Sequence, residues 1–107
     1  MNINIFGSTG VIGTKTLFLL NKYFPNIQVN LLAANNNYKK LLEQSKTYKP
    51  KYLYLHNNKN LRLLELKIDK KITILTKNEI NRYLLKSKSN FTILAISGYE
   101  SLNFLKP

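Results

Sequence analysis

The residues best suited to chemistry lie near the amino terminus, in the segment Gly7–Gly13. Three of the chain's 4 glycines fall within it, at the spacing G-x-x-G-x-x-G. Gly7 permits a tight turn, Gly10 lets a ligand approach the backbone closely, and Gly13 lets a following helix pack closely. Free N–H groups at the start of a helix, together with the positive end of its dipole, suit an anion. The segment therefore predicts a phosphate-binding loop.

The side chains of the same loop add to this prediction. Ser8 and Thr9 carry hydroxyl groups that can donate to phosphate oxygens. The alternative is a glycine-rich turn that holds no ligand, and the concentration of glycine between a strand and a helix argues against it. The candidate phosphate-binding residues are Gly7, Ser8, Thr9, Gly10, Val11, Ile12 and Gly13.

Hydrophobic periodicity around the loop predicts strands that alternate with helices. The predicted strands are Ile3–Phe6, Gln28–Ala34, Lys51–Leu55, Ile72–Leu75 and Phe91–Ile96. The predicted helices are Val11–Tyr23, Tyr38–Thr47, Leu61–Leu66, Lys77–Lys86 and, after a turn at Ser97 and Gly98, Glu100–Leu105. This alternation predicts an α/β fold, a Rossmann-like doubly wound parallel sheet of about five strands with helices on both faces. The nearly continuous apolar run of the last strand predicts that it is central and buried.

The end of the second predicted strand is the next informative place. In this fold a glycine loop at the first strand–helix junction binds a dinucleotide, and NAD-specific domains carry a carboxylate about 20 residues further on for the ribose 2′-hydroxyl. This sequence has Asn35, Asn36 and Asn37 there, with Lys39 and Lys40 close by. Three amides and two lysines suit a 2′-phosphate, so the segment favours NADPH over NADH. The alternative is that the asparagines form only a turn and a helix cap.

Composition sets limits on the function. The chain of 107 residues carries a formal net charge of +12, which is typical of proteins that bind nucleic acid or another polyanion. Of its basic residues only Arg62 and Arg82 are arginines, the type that makes bidentate base contacts, so biased composition accounts for the charge better than a nucleic-acid site. The sequence has no cysteine and no apolar run of the roughly 18–20 residues that span a bilayer. These features favour a cytoplasmic enzyme that binds neither membranes nor specific nucleic acid.

Four segments resemble, in order along the chain, the motifs of one enzyme family. Gly7–Gly13 reads GSTGVIG, where the family has GSTGSIG. Ala34–Asn37 falls where the family has Ala-Gly-Lys-Asn, and Leu41–Leu55 is similar to its Glu-Gln helix that leads through Pro-Lys/Arg-Tyr into the third strand. Ala95–Gly98 is similar to the family's Ala-Ile-Val-Gly turn. By these motifs the chain resembles the 1-deoxy-D-xylulose 5-phosphate reductoisomerase family.

The resemblance implies an NADPH-dependent oxidoreductase of non-mevalonate isoprenoid synthesis. The family rearranges 1-deoxy-D-xylulose 5-phosphate, a sugar phosphate, and reduces the resulting aldehyde to 2-C-methyl-D-erythritol 4-phosphate with the help of a divalent metal, Mg²⁺ or Mn²⁺. By position, Thr9, Gly10, Val11 and Ile12 would contact the NADPH phosphates, and Asn35–Asn37 would surround the adenosine ribose and its 2′-phosphate. The resemblance also implies that the full-length enzyme is a homodimer.

The sequence departs from the family pattern in two places. Val11 stands where the family usually has Ser, so only its backbone N–H can serve the phosphate. Asn35 and Asn36 stand where the family has Gly-Lys, so the lysine best placed for the 2′-phosphate is missing. We expect Lys39 or Lys40, one helical turn further on, to take over that role.

No catalytic residue and no metal ligand is predicted in this chain. The family's Asn-Lys-Glu segment, metal-binding carboxylates, substrate-phosphate site and mobile lid are expected beyond residue 107. The 5 acidic residues are scattered along the sequence, and His56 at a strand end is interpreted as a surface residue. The sequence stops at Lys106 and Pro107, where a helix has just begun. We therefore expect residues 1–107 to be an incomplete NAD(P)-binding Rossmann domain, inactive without the catalytic and C-terminal domains.

Two other functions stay open on the sequence. One is a different NAD(P)-dependent oxidoreductase, of the semialdehyde dehydrogenase type, whose glycine loop is similar and whose catalytic cysteine would follow residue 107. The other is a basic Rossmann-like module that binds a polyanion without catalysis. Salt-sensitive binding of an oligonucleotide that NADPH does not displace would identify the second.

Overall fold

The structure, a computed structural model, describes residues 2–86 and 91–95, and strands alternate with helices along them. The strands are β1 (Asn2–Phe6), β2 (Gln28–Ala34), β3 (Tyr52–Leu55), β4 (Thr73–Ile74) and β5 (Phe91–Leu94). The helices are α1 (Val11–Tyr23), α2 (Tyr38–Tyr48), α3 (Leu61–Lys67) and α4 (Lys77–Lys86), and a 3₁₀ turn, Asn58–Asn60, precedes α3. The predicted order is confirmed over these residues. The predicted turn at Ser97 and Gly98 and the helix Glu100–Leu105 lie outside them.

The five strands are parallel and form one sheet in the order β4-β3-β2-β1-β5. From β1 the chain moves outward through β2 and β3 to β4, and it then returns to add β5 on the other side of β1. The direction of strand addition therefore reverses between β1 and β5. In open α/β sheets, ligands bind in the crevice outside the carboxyl ends of the strands at such a reversal. The predicted Rossmann-like sheet is confirmed.

Alternate residues of each strand point to opposite faces of the sheet. Both faces carry apolar side chains, and helices cover both. On one face Ile3, Ile5 and Leu32 pack against α1, α2 and α3 through Leu17 and other apolar side chains of those helices. On the other face a smaller cluster contains residues of β1, β2 and β3 together with Ile80 of α4. β1 is thus buried on both sides, and the loop that follows it is held on a rigid base.

The prediction that the last strand is central and buried is wrong for the residues that the structure describes. There β5 pairs with β1 alone and forms an edge of the sheet. Phe91 is 59% exposed, whereas every residue of 29–34 in β2 is buried. β2 lies between β1 and β3 and has helices on both faces. A run of apolar residues indicates that a strand is apolar, but it does not predict whether the strand pairs with one neighbour or with two.

Candidate functional site

The loop between β1 and α1 turns sharply at Gly7. This residue has φ +80°, a left-handed conformation that glycine adopts without strain. The backbone N–H groups of Gly7 and Ser8 both donate to the carbonyl oxygen of Ala33 in β2, at 2.8 and 3.1 Å, and Gly10 N donates to Gly7 O at 3.2 Å. The turn predicted for Gly7 is confirmed, and these bonds fasten the loop to the end of the neighbouring strand.

Close packing explains Gly13 but not Gly10. A Cβ at Gly13 would lie 2.1 Å from Gly7 O and 2.7 Å from Ser8 Cα, so only glycine lets α1 approach the loop this closely. A Cβ at Gly10 would lie 3.5 Å from Gly7 O, an ordinary contact, and Gly10 is exposed. The predicted role of Gly13 in packing is confirmed. Access for a ligand stays the predicted reason for glycine at position 10.

The amino terminus of α1 is open to an anion. Among the described residues no side chain caps this helix, and its first turn contains no acidic residue. The first backbone bond of the helix runs from Thr14 N to Gly10 O at 2.9 Å, so the N–H groups of Val11, Ile12 and Gly13 have no acceptor within the helix. The side chains of Val11 and Ile12 are 74% and 58% exposed. The helix dipole and these N–H groups together favour a negatively charged ligand here.

The two hydroxyl residues of the loop differ in position. Ser8 is fully buried, and its Oγ has no hydrogen-bond partner within the described part of the chain. Donation from this hydroxyl to a phosphate outside the loop would require the side chain to leave the interior, so the structure gives no support to that expectation. Thr9 is half-buried and stays a predicted donor.

The asparagine loop lies beside the glycine loop, at the carboxyl end of β2. Asn35, Asn36 and Asn37 are all exposed. The Oδ1 atom of Asn37 accepts a bond from Lys40 N at 3.2 Å, so Asn37 caps α2, as one of the two interpretations of this segment predicts. Lys39 is exposed and Lys40 is half-buried in the first turn of that helix. The structure therefore brings both predicted segments to one edge of the sheet.

The end of β3 extends this edge. His56 N donates to Ala34 O at 2.9 Å, and Asn57 N donates to Asn35 O at 2.7 Å. The His56 ring is exposed, as predicted for a surface residue, and its Nδ1 lies 3.0 Å from the hydroxyl of Tyr54, whose pKa is raised by burial. Sequence reasoning did not place His56 next to the asparagine loop. The sequence signal for this proximity is that His56 directly follows a parallel strand, because the carboxyl ends of parallel strands lie at the same edge of a sheet.

The edge formed by the described residues has the features that favour an anion, namely an uncapped helix start and exposed amides. In residues 2–86 and 91–95 no group of three or more His, Cys, Asp or Glu side chains could hold a metal ion. In the same part of the chain, no helix has the length and apolar character needed to cross a membrane. What this edge can do chemically is bind a phosphorylated ligand and orient it.

Comparison with known proteins identifies the family. The sequence profile of 1-deoxy-D-xylulose 5-phosphate reductoisomerase matches residues 3–105. The chain belongs to this family. The reductoisomerase of Campylobacter lari is 32% identical over 99 residues, which are 92% of this chain and 26% of that protein. The reductoisomerase of Clostridium botulinum strain Okra is 40% identical over 72 residues, 66% of this chain and 19% of that protein. The semialdehyde dehydrogenase alternative is therefore set aside.

Solved reductoisomerase structures share the fold. A crystal structure of DOX-P reductoisomerase in complex with NADPH, fosmidomycin and magnesium superposes with a TM-score of 0.81 at 22% sequence identity, and the match covers 97% of this chain and 26% of that one. At this identity the likeness establishes the fold. The chain spans about a quarter or less of the length of the curated reductoisomerases that it matches.

Proposed function

We propose that this chain is the NADPH-binding part of a 1-deoxy-D-xylulose 5-phosphate reductoisomerase. The observation that carries the proposal is the uncapped start of α1, free of acidic residues, on a glycine loop at the strand reversal of the sheet. Residues 1–107 would then be an NAD(P)-binding Rossmann domain, incomplete without the catalytic and C-terminal domains.

The pyrophosphate of NADPH would lie over the first turn of α1. Gly10, Val11 and Ile12 would offer backbone N–H groups, and Thr9 would add a hydroxyl. Gly7, Ser8 and Gly13 would act by shaping the loop, since Ser8 and Gly13 are buried. The fit rests on an exposed glycine at position 10 and on N–H groups that have no acceptor within the helix.

The adenosine ribose and its 2′-phosphate would lie at Asn35, Asn36 and Asn37. This segment contains no carboxylate that would repel the phosphate, and Asn35 and Asn36 are exposed. Lys39 and Lys40 would supply the positive charge that a loop lysine supplies in other members of the family. Because Oδ1 of Asn37 already caps α2, its contact with the ribose would use the amide nitrogen.

NADPH bound here would supply the hydride for reduction of the aldehyde formed from 1-deoxy-D-xylulose 5-phosphate. This chain's residues would hold and orient the cofactor. The sugar phosphate, the Mg²⁺ or Mn²⁺ ion and the catalytic groups would bind to other parts of the full-length, homodimeric, cytoplasmic enzyme. The matched crystal structure contains NADPH and magnesium in that protein, which supports the proposal.

Calorimetric titration of the chain with NADPH, NADH and a short oligonucleotide tests the proposal. We expect saturable 1:1 binding of NADPH, weaker binding of NADH, and oligonucleotide binding that is weak, salt-sensitive and displaced by NADPH. No detectable dinucleotide binding would contradict the proposal. Oligonucleotide binding that NADPH leaves unchanged would favour the polyanion-binding alternative.

A further inference from the structure

The buried side chain of Gln44 reaches the glycine loop from a different helix. Gln44 lies on α2 and is 6% exposed. Its Nε2 donates to the carbonyl oxygen of Ser8 at 2.7 Å, inside the protein. This is a contact between a helix that begins at the asparagine loop and the middle of the loop that follows β1.

The contact fixes the orientation of one peptide unit. Ser8 N already donates to Ala33 O, and Ser8 O also lies 3.4 Å from Thr14 Oγ1. In a trans peptide unit the carbonyl and the next N–H point in opposite directions, and the described residues contain no cis bond. Because the Ser8 carbonyl is drawn inward by Gln44, the N–H of Thr9 points away from the interior.

We propose that Gln44 is a positioning residue for cofactor binding, which holds the Ser8 carbonyl so that the Thr9 N–H faces the pyrophosphate. This inference rests on the proposed binding of NADPH at the start of α1. A neutral donor is required at this buried position, and a carboxylate of the same length would face the carbonyl with an acceptor. Gln44 also lies two turns after Asn37, so α2 links the ribose end of the site to its phosphate end.

The local hydrogen bonding argues against a purely stabilising role. Gln44 Oε1 and Ser8 Oγ are buried and have no hydrogen-bond partner within the described residues. An unsatisfied buried polar atom is costly to stability, so a side chain selected only for stability would gain little at this place. The Gln44 side-chain amide therefore has a role that its contribution to stability does not explain, which is to orient the Ser8–Thr9 peptide.

The test compares Gln44→Met, which keeps the length and removes the donor, with Ser45→Ala. Ser45 is a buried neighbour whose Oγ bonds to Leu42 O at 2.6 Å within the same helix, so its loss disturbs α2 without touching the loop. Three ligands are titrated into each full chain: NADPH, ADP and adenosine 2′-monophosphate, which lacks a pyrophosphate. Hydrogen exchange at the Ser8 and Gly10 amides, which donate to Ala33 O and Gly7 O, is followed without ligand. Gln44→Asn, which withdraws the amide by one methylene, replaces Gln44→Met if that variant does not fold.

We expect Gln44→Met to weaken the binding of NADPH and of ADP at least tenfold, to leave that of adenosine 2′-monophosphate within twofold, and to speed exchange at Ser8 and Gly10. Ser45→Ala should change none of these. Unchanged NADPH affinity, or an equal loss for all three ligands, would overturn the inference. If the unmodified chain binds no dinucleotide, the proposed function fails, and the exchange comparison alone decides whether Gln44 orients the loop: faster exchange at Ser8 and Gly10 supports that role and unchanged exchange refutes it.

Discussion

The starts of α1 and α4 lie at the same edge of the sheet and are built in opposite ways. At α4, Thr76 N donates to Glu79 Oε1 at 2.9 Å, and Glu79 N donates to Thr76 Oγ1 at 3.2 Å, which is a capping box. These bonds with Thr76, and to a lesser degree Arg82, lower the pKa of the Glu79 carboxyl. At α1 no side chain of the described residues takes such a role, and the first turn has no acidic residue. α4 therefore satisfies the N–H groups of Thr76 and Glu79 with its own side chains, whereas α1 leaves the N–H groups of its first turn open to an anion from outside the chain.

The largest expected effect concerns the packing that holds the start of α1 in place. Gly13→Ala would force a Cβ to within 2.1 Å of Gly7 O, which the loop cannot accommodate without moving. We expect a loss of about 3 kcal/mol or more in the free energy of unfolding, measured by urea denaturation. Gly10→Ala is the matched control, because φ is −76° and a Cβ there makes an ordinary contact. Because Gly10 is the N-cap of α1, where glycine is preferred to alanine, the stability of Gly10→Ala should fall by no more than about 1 kcal/mol, and equal losses in the two variants would contradict this description.

Giving α1 the acidic residue that α4 has would remove the difference between the two helices. In Val11→Asp an exposed apolar side chain becomes a carboxylate next to the N–H groups that we assign to the pyrophosphate. Helix stability should rise by about 0.3–1 kcal/mol, while NADPH affinity falls by about tenfold or more through charge repulsion. Calorimetry and urea denaturation measure the two quantities. Val11→Asn has nearly the same shape without the charge and should bind NADPH normally. If stability and NADPH affinity both rose or both fell in Val11→Asp, the assignment of the pyrophosphate to the start of α1 would be refuted.

The start of α2 offers a finer test of the same edge. If Lys39 and Lys40 replace the lysine of the family's loop, the double variant Lys39→Ala, Lys40→Ala should bind NADPH about threefold to tenfold more weakly, because exposed charge pairs contribute up to about 1 kcal/mol each. NADH, which has no 2′-phosphate, should bind as before. Lys67→Ala and Lys70→Ala, at exposed positions at and just beyond the end of α3, control for the loss of net charge. An unchanged ratio of the two affinities would exclude both lysines from the site.

The smallest effect is expected at α4. Because the folded-state pKa of Glu79 is lowered from its ordinary value of 4.5, its contribution to stability is fully present above that pH and is lost as the pH falls through the lower folded-state value. Glu79→Gln should therefore unfold at slightly lower urea than the unmodified chain at neutral pH, and the gap should close under acid conditions. NADPH affinity should not change. A gap that persists in acid would show that the carboxylate charge is not what stabilises the cap.

Much of the fold and of the glycine loop follows from the sequence. The helical periodicity of α1 and α4 and the conformational demands on Gly7 and Gly13 are local properties, so the sequence predicts them directly. The cap at Asn37 was foreseen as one of two interpretations, because amide side chains before a helix commonly bond its first N–H groups. The contacts that join distant segments depend on tertiary packing and do not follow from local sequence.

The position of β5 at an edge of the sheet that the described residues form depends on which strands pair, and its apolar composition does not encode that. The burial of Ser8 and its contact with Gln44 depend on how α2 packs on the sheet, 36 residues along the chain. On the opposite face, the Tyr83 hydroxyl donates to Asn4 Oδ1 at 2.6 Å and accepts from the amide of Asn30. Two amides inside strands look like surface residues until α4 supplies their partner.

Nuclear magnetic resonance of the ¹⁵N-labelled chain, titrated with NADPH, tests the central claim most directly. If the uncapped start of α1 holds the pyrophosphate, the amide signals of Gly10, Val11 and Ile12 will shift saturably with one common Kd, and those of Asn35 and Asn36 will shift with them. The amides of the first turn of α4 will stay in place. Saturating NADPH that leaves the α1 amides unmoved, or that shifts only signals elsewhere in the chain, would contradict the account.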